Sequence, residues 1–121
     1  GKTYKEKLID AYNSLGKHEF KLASYLYSEL KKLNKIDVIG TDFKSVKRTP
    51  TVSFVHDEFT ANEVCQKLAQ ENICAWDGHF YALKAIQVLG LEEKGGVVRL
   101  GISAYNSLDE INRTVEAISK I

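Results

Sequence analysis

The fourteen residues Val-Val-Arg-Leu-Gly-Ile-Ser-Ala-Tyr-Asn-Ser-Leu-Asp-Glu, 97–110, change their hydrophobic period part-way along. From 97 to 104 the period is two. Val98, Leu100, Ile102 and Ala104 fall on one face, and Arg99, Gly101 and Ser103 on the other. That pattern describes a strand with one buried face and one polar face. From Ser107 the period is helical, with Leu108, Ile111, Val115 and Ile118 spaced as one inward stripe. Ser107 and Glu110 make a Ser-x-x-Glu capping box, in which each side chain satisfies a free backbone N–H of the first turn. A half-buried strand running straight into a capped helix commits the chain to a core shared by a sheet and helices.

The rest of the chain extends this reading. Thr3-x-x-Glu6 is a second capping box. After it Leu8, Tyr12, Leu15, Leu22, Leu26, Leu30 and Leu33 hold one helical phase, so one long helix is expected over 4–33. Gly16 costs about 1 kcal/mol relative to Ala and marks a place where that helix could bend. Ile36–Gly40 reads as a short strand and 41–49 as a polar loop, closed by Pro50 at the edge of a strand over 51–56. Thr60-x-x-Glu63 is a third capping box, leading a helix with Val64, Cys65, Leu68 and Ala69 inward. A strand is expected at 73–76. A short helix follows at 80–89 with Ala82, Leu83, Ile86 and Leu89 inward, and Gly90 stands just past its end. The order describes an α+β fold: a small, mostly antiparallel sheet of about four strands with helices on one face, in a single domain over 1–121.

Composition narrows the function. The formal net charge is +1, which offers no field for nucleic acid or an acidic membrane surface. No apolar run approaches the ~20 residues of a membrane span. The two cysteines, Cys65 and Cys74, make no disulfide framework, and a reducing cytoplasm is the expectation. Both are expected to be small buried hydrophobes. The three histidines lack metal-ligand spacing to each other or to Cys. There is no G-x-S-x-G turn and no phosphate-cradling Gly-rich loop ending in Lys-Ser or Lys-Thr. The chain has no Met and opens directly into a helix after Gly1, so a piece of a longer protein is expected.

Two polar places remain as candidates. One is Gly78-His79-Phe80-Tyr81-Ala82, between a strand and a helix. The other is Arg99 with Tyr105 and Asn106. A guanidinium on a strand's polar face, beside a glycine, suits a carboxylate or phosphate, because its planar fork donates two parallel hydrogen bonds. The competing readings are a surface ion pair for Arg99, an amphipathic core residue for Tyr81 and a turn former for Asn106.

These pieces taken together resemble a known family. "RTPTVSF" (48–54), "ICAWDGHFYA" (73–82), "LGL" (89–91) and "GGVVRLGISAYNSLDEIN" (95–112) look like the C-terminal small domain of the class V aminotransferases, in the cysteine desulfurase-like branch. The resemblance implies a pyridoxal-phosphate enzyme of the aspartate-aminotransferase fold. It implies a substrate-binding role for Arg99 toward the α-carboxylate of a small amino acid. It also implies possible active-site lining by Gly78, His79, Tyr81, Tyr105 and Asn106, and a helix at 4–33 linking to an absent large domain of the same chain. A homodimer is implied for the full-length protein. The cofactor belongs on a lysine that follows a histidine, and no His-Lys pair occurs here, so no cofactor is expected on this piece and no turnover by it alone. Tyr81 stands where the desulfurases carry their sulfur-accepting Cys. A carbon–sulfur or carbon–selenium lyase, or a related enzyme, is the reading that follows. The alternative is a free-standing α+β module that binds a small ligand or another protein without catalysis.

Overall fold

A computed structural model describes residues 1–121. The elements, in chain order, are α1 (Tyr4–Leu30), β1 (Ile36–Ile39), β2 (Thr51–His56), α2 (Ala61–Gln70), β3 (Trp76–Gly78), α3 (Leu83–Val88), β4 (Val97–Gly101) and α4 (Leu108–Ser119). All three capping boxes form. Thr3, Thr60 and Ser107 accept from the backbone N–H groups of Glu6, Glu63 and Glu110, and each glutamate accepts in return from its cap's N–H. The long helix is unbroken at Gly16 but ends at Leu30, not 33. The Lys32 and Leu33 N–H groups donate to Glu29 and Leu30, which tightens the last turn before β1.

The four strands form one antiparallel sheet in the order β1-β2-β4-β3. Phe54 pairs with Val98 and Val52 with Leu100, so these four point to one face. They meet Leu22, Leu26 and Leu30 of α1, Val64 and Leu68 of α2, and Ile111 and Ile118 of α4 in one cluster. Burying each such side chain contributes about 1.5–3 kcal/mol. The opposite face is mostly open. Of the helices only the short α3 reaches it, where Ile86 packs on Val55 and Val97 and Ile39, Phe80 and Leu91 pack around them. Three of the four helices therefore share one face, and α3 is the departure from a one-sided arrangement.

Several sequence expectations shift. The strand placed at 73–76 lies at 76–78, because Ile73 is drawn into the core from an irregular segment. The helix placed at 80–89 covers only 83–88, and Ala82, Leu83 and Leu89 are exposed. The strand placed at 97–104 ends at Gly101, leaving Ala104 outside it and exposed. Ala69 and Leu108 also face outward. Cys74 is exposed and Cys65 half-buried, so neither is the fully buried hydrophobe expected. The apolar stripe of α1 divides: Leu22, Leu26 and Leu30 are buried, while Leu8, Tyr12 and Leu15 are exposed.

Candidate functional site

Arg99 sits in the middle of β4 on the sheet's open face. Its neighbours across the ladder are Ser53 of β2 and Trp76 of β3. Trp76 is an edge residue and 69% exposed. Arg99 is exposed and takes part in none of the chain's ion pairs. Its guanidinium carbon instead lies 3.9 Å from the centre of the Phe80 ring. The surface ion pair that competed as an explanation does not form.

Phe80 reaches Arg99 through an unusual turn. After β3 the chain reverses over His79-Phe80-Tyr81-Ala82, closed by an Ala82 N–H to His79 C=O bond of 2.8 Å. Phe80 and Tyr81 both have positive φ, at 50° and 62°. Two consecutive positive φ values inside an i→i+3 bond are the pattern of a type I′ turn, normally filled by Asn-Gly or Gly-Gly. The Tyr81 N–H also donates to His79 Nδ1, at 3.0 Å. The turn leaves Tyr81 99% exposed and brings Phe80 back against Val55, Ile86 and Val97. Gly96 is needed beneath it. A Cβ there would lie 2.2 Å from the Gly78 carbonyl oxygen, so only glycine lets β4 enter beside β3.

The remaining predicted residues separate. Gly78 pairs with Val97 at the start of β4, so the 78–81 turn stands at one end of that strand. Tyr105 and Asn106 follow its other end. Tyr105 is exposed. Asn106 holds its own turn: its Oδ1 accepts from the Ser103 N–H at 2.8 Å, its Nδ2 donates to Glu110 at 3.2 Å, and its carbonyl meets His18 Nε2 at 2.9 Å. Arg99 and Phe80 are thus the pair the fold brings together. The sequence placed Phe80 inside the candidate 78–82 stretch and at the start of a helix, but gave it no role of its own. No local signal gives its role, since neither Phe nor Tyr is a residue one places at positive φ.

The thiols are poorly placed for chemistry. Burial, helped by the nearby Asp77 carboxylate, pushes the Cys65 thiol up to about 11, which keeps it protonated at neutral pH. Cys74 precedes β3 and lines a hollow with Asn72, Asn106 and Arg113, away from Phe80 and Tyr81. No group of His, Cys, Asp and Glu is arranged to hold a metal ion. No helix is long and apolar enough to cross a membrane.

A four-stranded antiparallel sheet under three helices, with one unpaired arginine on its open side, defines an α+β fold of the aspartate-aminotransferase type. The family model described as Aminotransferase class-V matches residues 8–114. The chain belongs to the class V aminotransferase family and is cysteine desulfurase-like within it. A probable cysteine desulfurase of Methanothermobacter thermautotrophicus is 29% identical over 93% of this chain and 29% of its own length. An aminotransferase-like protein of Gibberella zeae is 28% identical over 91% of this chain and 28% of its own. The solved apo cysteine desulfurase of Thermococcus onnurineus superposes with a TM-score of 0.78 at 26% identity, over 88% of this chain and 25% of that one. This chain therefore spans between a quarter and three-tenths of the length of these relatives.

Pyridoxal phosphate, implied by the family for full-length proteins, does not fit the residues around Arg99. Ser53, Trp76 and Phe80 flank it, and none is an amine able to bond the cofactor's carbonyl.

Proposed function

We propose that this chain is the substrate-clamping C-terminal domain of a larger pyridoxal-phosphate enzyme acting on a small amino acid, with Arg99 as the anchor of the α-carboxylate. One observation carries the reading: an exposed guanidinium on an open sheet face, set against the Phe80 ring and not neutralised by any acidic side chain. Such a fork keeps its in-plane N–H donors for two carboxylate oxygens, fixing where the amino group lies. The greater length of the relatives supports a separate part of the parent chain as holder of the cofactor, and favours this over the free-standing module. Full-length class V proteins of this kind are read as cytoplasmic homodimers in the same proposal.

The persulfide route finds no support among this chain's thiols. Tyr81 offers a phenol, Cys65 is held protonated, and Cys74 lies outside the turn. The reading is therefore a desulfurase-like lyase or related enzyme, not a persulfide-forming desulfurase working through this domain.

The test is Arg99→Ala in the full-length protein. KM for the amino acid should rise at least about 30-fold, the scale for losing one partner of a charged, hydrogen-bonded pair. The folding stability of the chain should change by no more than about 1 kcal/mol, since the side chain is exposed, joins no ion pair and gives up only its contact with the Phe80 ring. An unchanged KM overturns the assignment.

A further inference from the structure

Resting on the clamp reading, we infer that Phe80 is the positioning residue of Arg99, and that the His79–Ala82 turn bears its unfavourable backbone in order to deliver that ring. Three observations converge. The guanidinium carbon stands over the ring, 3.9 Å from its centre. The ring is itself braced, half-buried against Val55, Ile86 and Val97. The two residues that make the turn both occupy the left-handed region without being Gly, Asn or Asp. A left-handed residue costs about 1–2 kcal/mol for an ordinary L side chain, and such outliers persist where the surroundings over-determine them. A turn chosen for stability alone would carry Asn-Gly.

The physical reason to stack the arginine is its freedom. An exposed Arg loses about 2 kcal/mol of rotamer entropy when it is fixed on a ligand. A ring under the guanidinium restricts the side chain before the carboxylate arrives, so less ordering is charged against binding. Phe80 touches neither a substrate nor a reacting atom in this account. It acts through Arg99.

The experiment has two arms. In the 121-residue chain, the Arg99 Nε–Hε resonance is followed by NMR. Phe80→Leu, which keeps apolar bulk on Ile86 and Val97, should move that proton downfield by removing the ring current, and Phe80→Tyr should restore it. In the full-length protein, KM and kcat are measured over the proteinogenic L-amino acids. Phe80→Leu should raise KM roughly two- to fivefold with kcat nearly unchanged, the range of an exposed cation–π contact, and Phe80→Tyr should return it to the wild-type value. If Phe80→Leu lowers the melting temperature but moves neither the Arg99 resonance nor KM, Phe80 is only packing and the inference fails. If Arg99→Ala raises KM and Phe80→Leu does not, the clamp stands without its positioning residue. If Arg99→Ala leaves KM unchanged for every amino acid, the clamp itself fails and takes the role of Phe80 with it.

Discussion

At the scale of single residues, the chain separates strain from burial, and each can be tested. Tyr81 is 99% exposed and has φ of 62°, so its side chain gains little contact while its backbone is held in an unfavourable region. Asn tolerates that region. Tyr81→Asn should therefore stabilise the chain by about 0.5–1 kcal/mol, raising the melting temperature by about 2–4 °C in a calorimetric scan. A fall in melting temperature would show that the phenol makes a contact of consequence. His56 is the converse case. It is buried on the core face, accepts the Glu58 N–H on Nδ1 at 3.1 Å, and is held below the ordinary imidazole value by burial, against the opposing pull of Asp57. Between the lowered folded value and about 6.5, the unfolded chain binds a proton that the folded chain does not. Stability is then full above about pH 6.5 and falls as the pH drops below it. Urea midpoints should fall from about pH 7.5 to about pH 5, and His56→Asn, which keeps an acceptor near Nδ1, should flatten that slope. The capping glutamates Glu6, Glu63 and Glu110 are each held low by a backbone N–H, so their effect lies at more acidic pH. The site was partly legible at this scale. Alternation alone put Arg99 on a polar face, but only the fold showed that no acid pairs with it. Phe80 was out of reach, because its role depends on a turn its residue types argue against.

At the scale of elements, the signals that held were those in which a local interaction closes within a few residues. Each of the three capping boxes sets a helix start and forms as read, because cap and glutamate find each other inside one turn. The alternation of β2 and β4 set the core face, since Val52, Phe54, Val98 and Leu100 gain burial only in one register. The ends that moved were those decided by distant neighbours. Apolar residues at 73–75 read as strand, yet Ile73 is buried from outside the sheet and pairing starts at Trp76. Residues 80–82 read as helix by hydrophobic spacing, yet the Gly78–Gly96 approach forces the chain to turn there before α3 can start. The helix α3 is then left with six residues, no side-chain cap and one buried residue, Ile86. It is held by Val55 and Val97 from the open face of the sheet, which is why a purely one-sided layering did not hold.

At the scale of the molecule, α1 is a helix of two halves. From Leu22 onward it lies on the sheet and on α4, and Tyr25 donates to Asn112 at 2.8 Å. Phe20 still reaches the Phe43 ring and His18 the Asn106 carbonyl, but ahead of them Leu8, Ile9, Tyr12 and Leu15 are exposed in one helical phase. A helical segment of this length is marginal in water without a surface to pack on. Its apolar residues are what a parent enzyme's remaining chain would cover under the proposed function. Left open, the same stripe is a contact waiting for another copy, because exposed apolar area clustered on one face drives association. The 121-residue chain should therefore show a mass by light scattering that rises with concentration. Leu8→Lys with Leu15→Lys should hold it as a monomer. The melting temperature of that double variant should stay close to the wild type measured in the dilute, unassociated range, because neither leucine touches the buried cluster. A chain that scatters as a monomer at every concentration would mean the stripe is too narrow or too frayed to bind anything by itself. The long helix would then need a larger, preformed surface to become ordered, and its first half would exchange its amide protons as freely as an unfolded segment does.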